Sequence, residues 1–197
     1  MLTIATVYYA PHGRVPDFAR GYTPEWVDRL YRGVARHLSA PFRFVCLTER
    51  PCAFTEPIEQ QTLMTTRWDQ ACKQLYGIAA DRLLLLGLDT VIVGDLDDLV
   101  AYDGPLAVPR DPYHPDRPCN AVVLCPSRPD LTEKHGSDMR VLDGEPVDWL
   151  DDLFPKQIRS YKVHVVPDGL GDARIVYLHG SPKQPDIPEP WMAEAWR

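Results

Sequence analysis

The stretch Leu83-Leu84-Leu85-Leu86-Gly87-Leu88-Asp89 decides how the rest of the chain is read. Four consecutive leucines leave no polar face, which suits a strand buried on both sides of a sheet better than an amphipathic edge strand. The run closes on a carboxylate. Upstream, residues 4–9 and 42–47 are two more β-branched and aromatic runs. Between them Trp26, Leu30, Val34 and Leu38 recur at every fourth position, behind Thr23 as N-cap and Pro24 as first helical residue. Residues 68–80 predict a second helix, with Trp68, Cys72, Leu75 and Ala79 facing inward. The order strand, helix, strand, helix, strand implies an α/β domain with a Rossmann-like, mostly parallel central sheet flanked by helices.

With 197 residues the chain reads as one domain, 1–197. At 45% hydrophobic and 25% charged residues it can bury a core without disulfides or structural metals. The leucine run is far short of the ~18 apolar residues of a membrane span. Met1 leads straight into Leu2-Thr3-Ile4 without a basic region, so no signal peptide is expected and a cytoplasmic location is. A net charge of −7 gives no surplus of Lys and Arg for phosphate neutralisation, which disfavours a nucleic-acid backbone as main ligand. A single nucleotide is compatible with it. The five cysteines are odd in number and form no C-x-x-C pair, against a disulfide framework or a zinc site. Cys46 and Cys125 lie in apolar runs, as small buried hydrophobes do.

Beyond Val93 the texture changes. Asp95, Asp97 and Asp98 form an acidic turn, read chiefly as solvated surface. Seven of the 20 prolines fall between Pro105 and Pro129, after a short apolar run at residues 106–108, favouring an irregular ordered segment in the C-terminal half with a strand at 121–125. Residues 132–145 are polar and predict a mobile loop or a poorly packed helix. Apolar runs at 163–166 and 175–178 precede a Pro-rich tail. Its Trp191 and Trp196 have either this domain or a neighbour to pack on.

Two clusters carry candidate chemistry. Asp89 follows the most buried strand, and ligands of open α/β sheets bind in the crevice beyond the carboxyl ends of the strands. A carboxylate there can hold a hard cation that bridges phosphate oxygens; the plainer reading is a turn cap before Thr90. The second cluster is Tyr177-Leu178-His179-Gly180-Ser181-Pro182-Lys183. A strand-terminal His, a Gly permitting close backbone approach and a nearby Lys suit a metal ligand beside a phosphate clamp. Each part alone is also ordinary structural or turn chemistry.

Taken together, these segments resemble bacterial GT-A-fold glycosyltransferases of the retaining, family-eight type related to glycogenin and the galactosyltransferases. The resemblance runs through residues 22–31 and 43–48, then Leu88-Asp89-Thr90-Val91-Ile92-Val93-Gly94-Asp95-Leu96, which is similar to the D-x-D motif and its sequel. It continues at Ser160-Tyr161-Lys162 and through residues 174–183, similar to the family's H-G-x-P-K-P ending. Only residues 128–147 lack a match. What it implies is a hexosyltransferase that uses a nucleotide-sugar donor, a UDP-sugar foremost, with Mn²⁺ or Mg²⁺ on the diphosphate and an acceptor of unknown kind. Asp89 and His179 are then metal ligands, and Lys183 and Gly180 contact the donor diphosphate. Thr6 and Tyr8 receive the nucleotide, and Lys73 is similar to the family's lysine ahead of the central strand. Asp111 and Asn120 approach the donor sugar and acceptor.

Two departures stand out. Gly87 replaces the first Asp of D-x-D. In Gly144-Glu145-Pro146-Val147-Asp148-Trp149, which is nearest to the family's G-D-Q-D, only Asp148 keeps a catalytic carboxylate. A second reading is therefore a nucleotide-sugar-binding domain without turnover, serving as a sensor or partner subunit. A third is a phage-type transferase acting on bases in DNA, which the acidity of the chain disfavours. The sequence leaves the oligomeric state open.

Overall fold

The computed structural model describes residues 1–9, 17, 21–65 and 67–197. The leucine run forms β4 (Arg82–Leu86), and it is central. β1 (Leu2–Tyr8), β2 (Phe42–Thr48) and β3 (Glu59–Thr62) lie to one side of it, all parallel. On the other side β7 (Val122–Cys125) runs antiparallel, followed by β6 (Ala107–Val108) and β8 (Asp148–Trp149). The strand order is β3-β2-β1-β4-β7-β6-β8. A second sheet places β10 (Ile175–Tyr177) between β5 (Thr90–Ile92) and β9 (Ile158–Ser160). The mixed α/β architecture and mostly parallel main sheet agree with the expectation from the sequence.

Alternation along β4 shows why its pattern has no polar face. Leu84 and Leu86 join Ile4, Phe44 and Leu124 under helix α1 (Pro24–His37), while Leu83 and Leu85 join Val45, Leu75, Tyr76 and Val123 on the opposite face. Both faces of the sheet are covered, as parallel strands require. Helix α1 starts at Thr23 and Pro24 as the spacing predicts and buries Trp26, Leu30 and Val34. The Thr23 hydroxyl makes no capping bond; its carbonyl accepts from Trp26 N instead.

Residues 68–80 depart from the expected helix. They form two tight 3₁₀ turns, Trp68–Gln70 and Cys72–Gly77. Leu75 and Ile78 are buried and Cys72 is half-buried on a spacing of three, which a 3₁₀ turn places on one side. The run 163–166 is not extended. β9 ends at Ser160, and Tyr161–Val165 curl into one π-helical turn. Ser160 fixes that turn twice, its Oγ accepting from Val163 N at 3.3 Å and its N donating to His164 Nδ1 at 3.0 Å. Residues 132–145 lack regular structure apart from a short turn, Asp138–Arg140, yet they bury Asp138, Val141 and Leu142.

Trp191 and Trp196 both pack on their own chain. The Trp196 ring lies 4.7 Å from Trp26, with the Arg29 guanidinium 4.2 Å above it, and Trp191 meets Tyr161 at 6.3 Å. All five cysteines are free thiols. Among the described residues no helix is long and apolar enough to cross a membrane. Of the acidic turn, Asp97 holds Ser39 N at 2.8 Å and Asp98 pairs with Arg174, both at the surface.

Candidate functional site

A cavity of about 450 Å³ opens beyond the carboxyl ends of β1 and β4. Its walls come from the end of β1, Tyr22 ahead of α1, the 3₁₀ turns, the β4–β5 connection, the loop between β6 and β7, residues 138–139, and the segment following β10. The leucine run supplies rigidity, and the chemistry begins where it stops. Gly87 N donates to Ala121 O, Thr90 N closes a turn onto Gly87 O, and Leu178 N donates to Asp89 O at 2.8 Å. β5 then pairs antiparallel with β10, Thr90 opposite Tyr177. Asp89 and His179, far apart in sequence, therefore sit at the ends of hydrogen-bonded neighbours and both line the cavity.

Asp89 is held from two sides. Its Oδ2 accepts from Lys183 Nζ at 2.5 Å and from Tyr22 OH at 3.4 Å. Burial, and secondarily the Asp89 charge, push the Tyr22 phenol far above its ordinary value, so it remains a donor. His179 Nε2 shares a hydrogen bond with Ser160 Oγ at 2.9 Å. Burial lowers the His179 pKa, and the ammonium groups of Lys162 and Lys183 add to the shift, keeping the ring neutral at neutral pH. Gly180 adopts φ 62°, a left-handed conformation suited to glycine, and a Cβ there would stand 3.4 Å from Lys162 Nζ. Its backbone thus lies open to the cavity beside a cation.

Thr6 also lines the cavity. Its hydroxyl is buried without a hydrogen-bond partner among the described residues. Asp111 and Asn120 are present too. Asp111 Oδ1 receives Tyr113 N and His114 N at 2.8 and 3.0 Å, shaping the loop, and Asn120 Nδ2 donates to Asp138 O at 3.0 Å.

Three expected site residues lie elsewhere. Tyr8 points into the core under α1, and its neighbour Tyr9 lines the cavity. Lys73 is buried with its ammonium donating to the carbonyls of Lys134 and Gly136, so it pins the irregular segment rather than meeting a ligand. Asp148 sits exposed on β8 and accepts from Tyr102 OH at 2.5 Å, outside the cavity walls. β8 pairs with β6 in a register, Ala107 opposite Asp148, that holds this carboxylate at the sheet edge.

The carboxylate the sequence did not reveal is Asp138. It lines the cavity and is buried beside Cys72. Burial raises its pKa above the ordinary aspartate value. It sits in the unmatched stretch, without a motif around it.

The metal implied by the resemblance does not fit these residues. A hard cation on a diphosphate needs only one or two protein ligands, phosphate oxygens and water supplying the rest, but both expected donors are already engaged, Asp89 by Lys183 and His179 by Ser160. Among the described residues no group of three or more His, Cys, Asp or Glu side chains is placed to hold an ion.

No protein-family model matches the chain, and no curated protein matches it in sequence. Solved structures do. GlyE of Streptococcus pneumoniae TIGR4, a glycosyltransferase, aligns with a TM-score of 0.64 at 13% identity, over 92% of this chain and 55% of GlyE. The Q189E active-site mutant of LgtC aligns at 0.63 and 10% identity, over 98% of this chain and 93% of LgtC. The galactosyltransferase LgtC in complex with donor and acceptor sugar analogs aligns at 0.61 and 11% identity, over 92% and 88%. The fold is that of the GT-A glycosyltransferases. The chain thus spans about half the length of GlyE and most of that of LgtC. In such a GT-A domain the cavity described above occupies the crevice where open α/β sheets take their ligands.

Proposed function

We propose that the chain is a glycosyltransferase that binds a nucleotide-sugar donor, a UDP-sugar foremost, in this cavity and passes its hexose to an acceptor. The observation that carries the reading is the convergence of Thr6, Asp89, His179 and Gly180 on one crevice at the strand ends of a GT-A fold. LgtC, solved with donor and acceptor sugar analogs, supports the same pairing of ligands here. Retention at the anomeric carbon is supported by the resemblance of the sequence to the retaining enzymes. The unpartnered Thr6 hydroxyl is the candidate contact for the nucleotide. Gly180 N–H and the lysines beside it stabilise the departing diphosphate as its charge grows. Asp138, rather than Asp148, joins Asp111 and Asn120 as the polar group for sugar and acceptor hydroxyls, holding the two in line.

The test is a thermal-shift screen of UDP, GDP, ADP, CDP and TDP, each with and without Mn²⁺, since a ligand that binds only the folded state raises its Tm. One nucleotide is expected to raise Tm, and Thr6→Val to diminish the shift. If no nucleotide changes Tm, the transferase reading fails. A second reading, a donor-binding domain without turnover, is favoured by the position of Asp148 outside the cavity. Slow hydrolysis of the donor in the absence of acceptor separates the two, because a transferase leaks donor to water and a binder does not.

A further inference from the structure

A diphosphate concentrates negative charge, and a largely apolar cavity can accept it only with counter-charge close by. The usual source in a site of this layout is a cation held between carboxylates, so the surroundings of Asp89 matter. A Cβ at position 87 would lie 2.8 Å from Asp89 Oδ1. The carboxylate has therefore settled into space that any side chain at 87 would need. Its other oxygen is covered by Lys183 Nζ, which is itself buried. His179 presents Nε2 to Ser160. Position 87 thus carries no carboxylate, and Asp89 Oδ2 and His179 Nε2 are engaged within the protein, by Lys183 and by Ser160. Two ammonium groups stand directly behind lining residues at this corner, Lys183 on Asp89 and Lys162 against Gly180.

We propose that the donor's diphosphate binds here without a divalent cation, its charge met by the ammonium groups of Lys183 and Lys162. The inference rests on the nucleotide-sugar reading of the site. Asp89 becomes a positioning residue: it orients the Lys183 ammonium, and Gly87 is small so that it can do so. Lys183 replaces a metal's charge at lower cost in geometry, since an ammonium needs no fixed coordination number.

The test is isothermal titration of the full chain with UDP, GDP, ADP, CDP and TDP, in EDTA and again in excess Mn²⁺ or Mg²⁺. One nucleotide is expected to bind in EDTA with a Kd within about threefold of its value in metal. Lys183→Met and Lys162→Met should each weaken that binding about tenfold or more, by removing a charge-assisted contact. Lys162 is only partly buried, so its variant serves if Lys183→Met, which strands a carboxylate, does not fold. Binding that appears only with metal, or tightens more than about tenfold with it, overturns the proposal and leaves the nucleotide-sugar reading standing. Binding in EDTA that neither lysine variant weakens also overturns it. Absence of binding in both conditions overturns the reading itself.

Discussion

Asp138 is a carboxylate whose burial raises its pKa, so the fold binds its proton more tightly than the unfolded chain does. The sign follows directly. Its contribution favours the folded state in acid and is lost as pH rises through the raised value, leaving a constant cost at neutral pH. Asp138→Asn keeps the shape of the side chain and removes the charge. Its Tm relative to the parent chain is therefore expected to climb from acid toward neutral pH and then level off, a comparison that differential scanning calorimetry across a pH series makes directly. A flat difference would mean that the carboxyl is solvated and the cavity wetter than described. Donor hydrolysis by the same variant should fall while nucleotide affinity holds, separating a sugar-facing group from a diphosphate-facing one. Among single residues, Asp89, His179 and Gly180 were legible because a strand end aims side chains at a predictable place. Asp138 and Asp148 were not. A carboxylate in an irregular segment carries no periodicity, and only the β6–β8 register shows which of the two is turned away from the cavity.

At the level of elements, the leucine strand holds the most stability per residue. Leu84 is fully buried beneath α1, and Leu84→Ala should cost about 2–5 kcal/mol, measured by urea unfolding. A cost below about 1 kcal/mol would mean that the two-sided burial of β4 is overstated. This same burial is why β1, β2, β4, β7 and α1 could be read from the chain: their apolar spacing is dictated by a sheet covered on both faces. The 3₁₀ turns at 68–77 escaped because Trp68, Cys72, Leu75 and Ala79 satisfy a helical spacing as well as Cys72, Leu75 and Ile78 satisfy a spacing of three. The π-helical turn escaped for a different reason. Val163, Val165 and Val166 have the β-branched character of a strand, but the reciprocal bonds between Ser160 and the following turn outweigh that preference.

Over the whole molecule, three histidines make stability sensitive to mild acid. His37, His164 and His179 all have pKa values lowered, first by burial, from the ordinary 6.5. In the window below 6.5 the unfolded chain takes up protons that the folded one refuses, so stability falls as pH drops through it. Tm should decline from neutral pH toward mild acid, and His164→Gln, which removes one of the three, should make that decline shallower. An unchanged slope in the variant would place the proton uptake elsewhere. The chain also closes on itself at this scale. Arg29 and Arg32 of α1 donate to the carbonyls of Trp196 and Arg197, tying the first helix to the last described turn.

The bond between Lys183 and Asp89 spans 94 residues, and that separation has a meaning for a chain still on the ribosome. At 5–20 residues per second the ammonium emerges roughly 5–20 s after the carboxylate it pairs with. The main sheet up to β7 has its sequence available well before then, whereas β5 waits with Thr90–Ile92 lacking the β10 neighbour that later pairs with it. For those seconds the nascent protein is a folded floor with an uncapped apolar edge, the kind of surface that chaperones recognise. On the proposed reading, ligand capture waits for that pairing, and stalled or truncated products lacking residues 175–183 should be both aggregation-prone and unable to bind nucleotide.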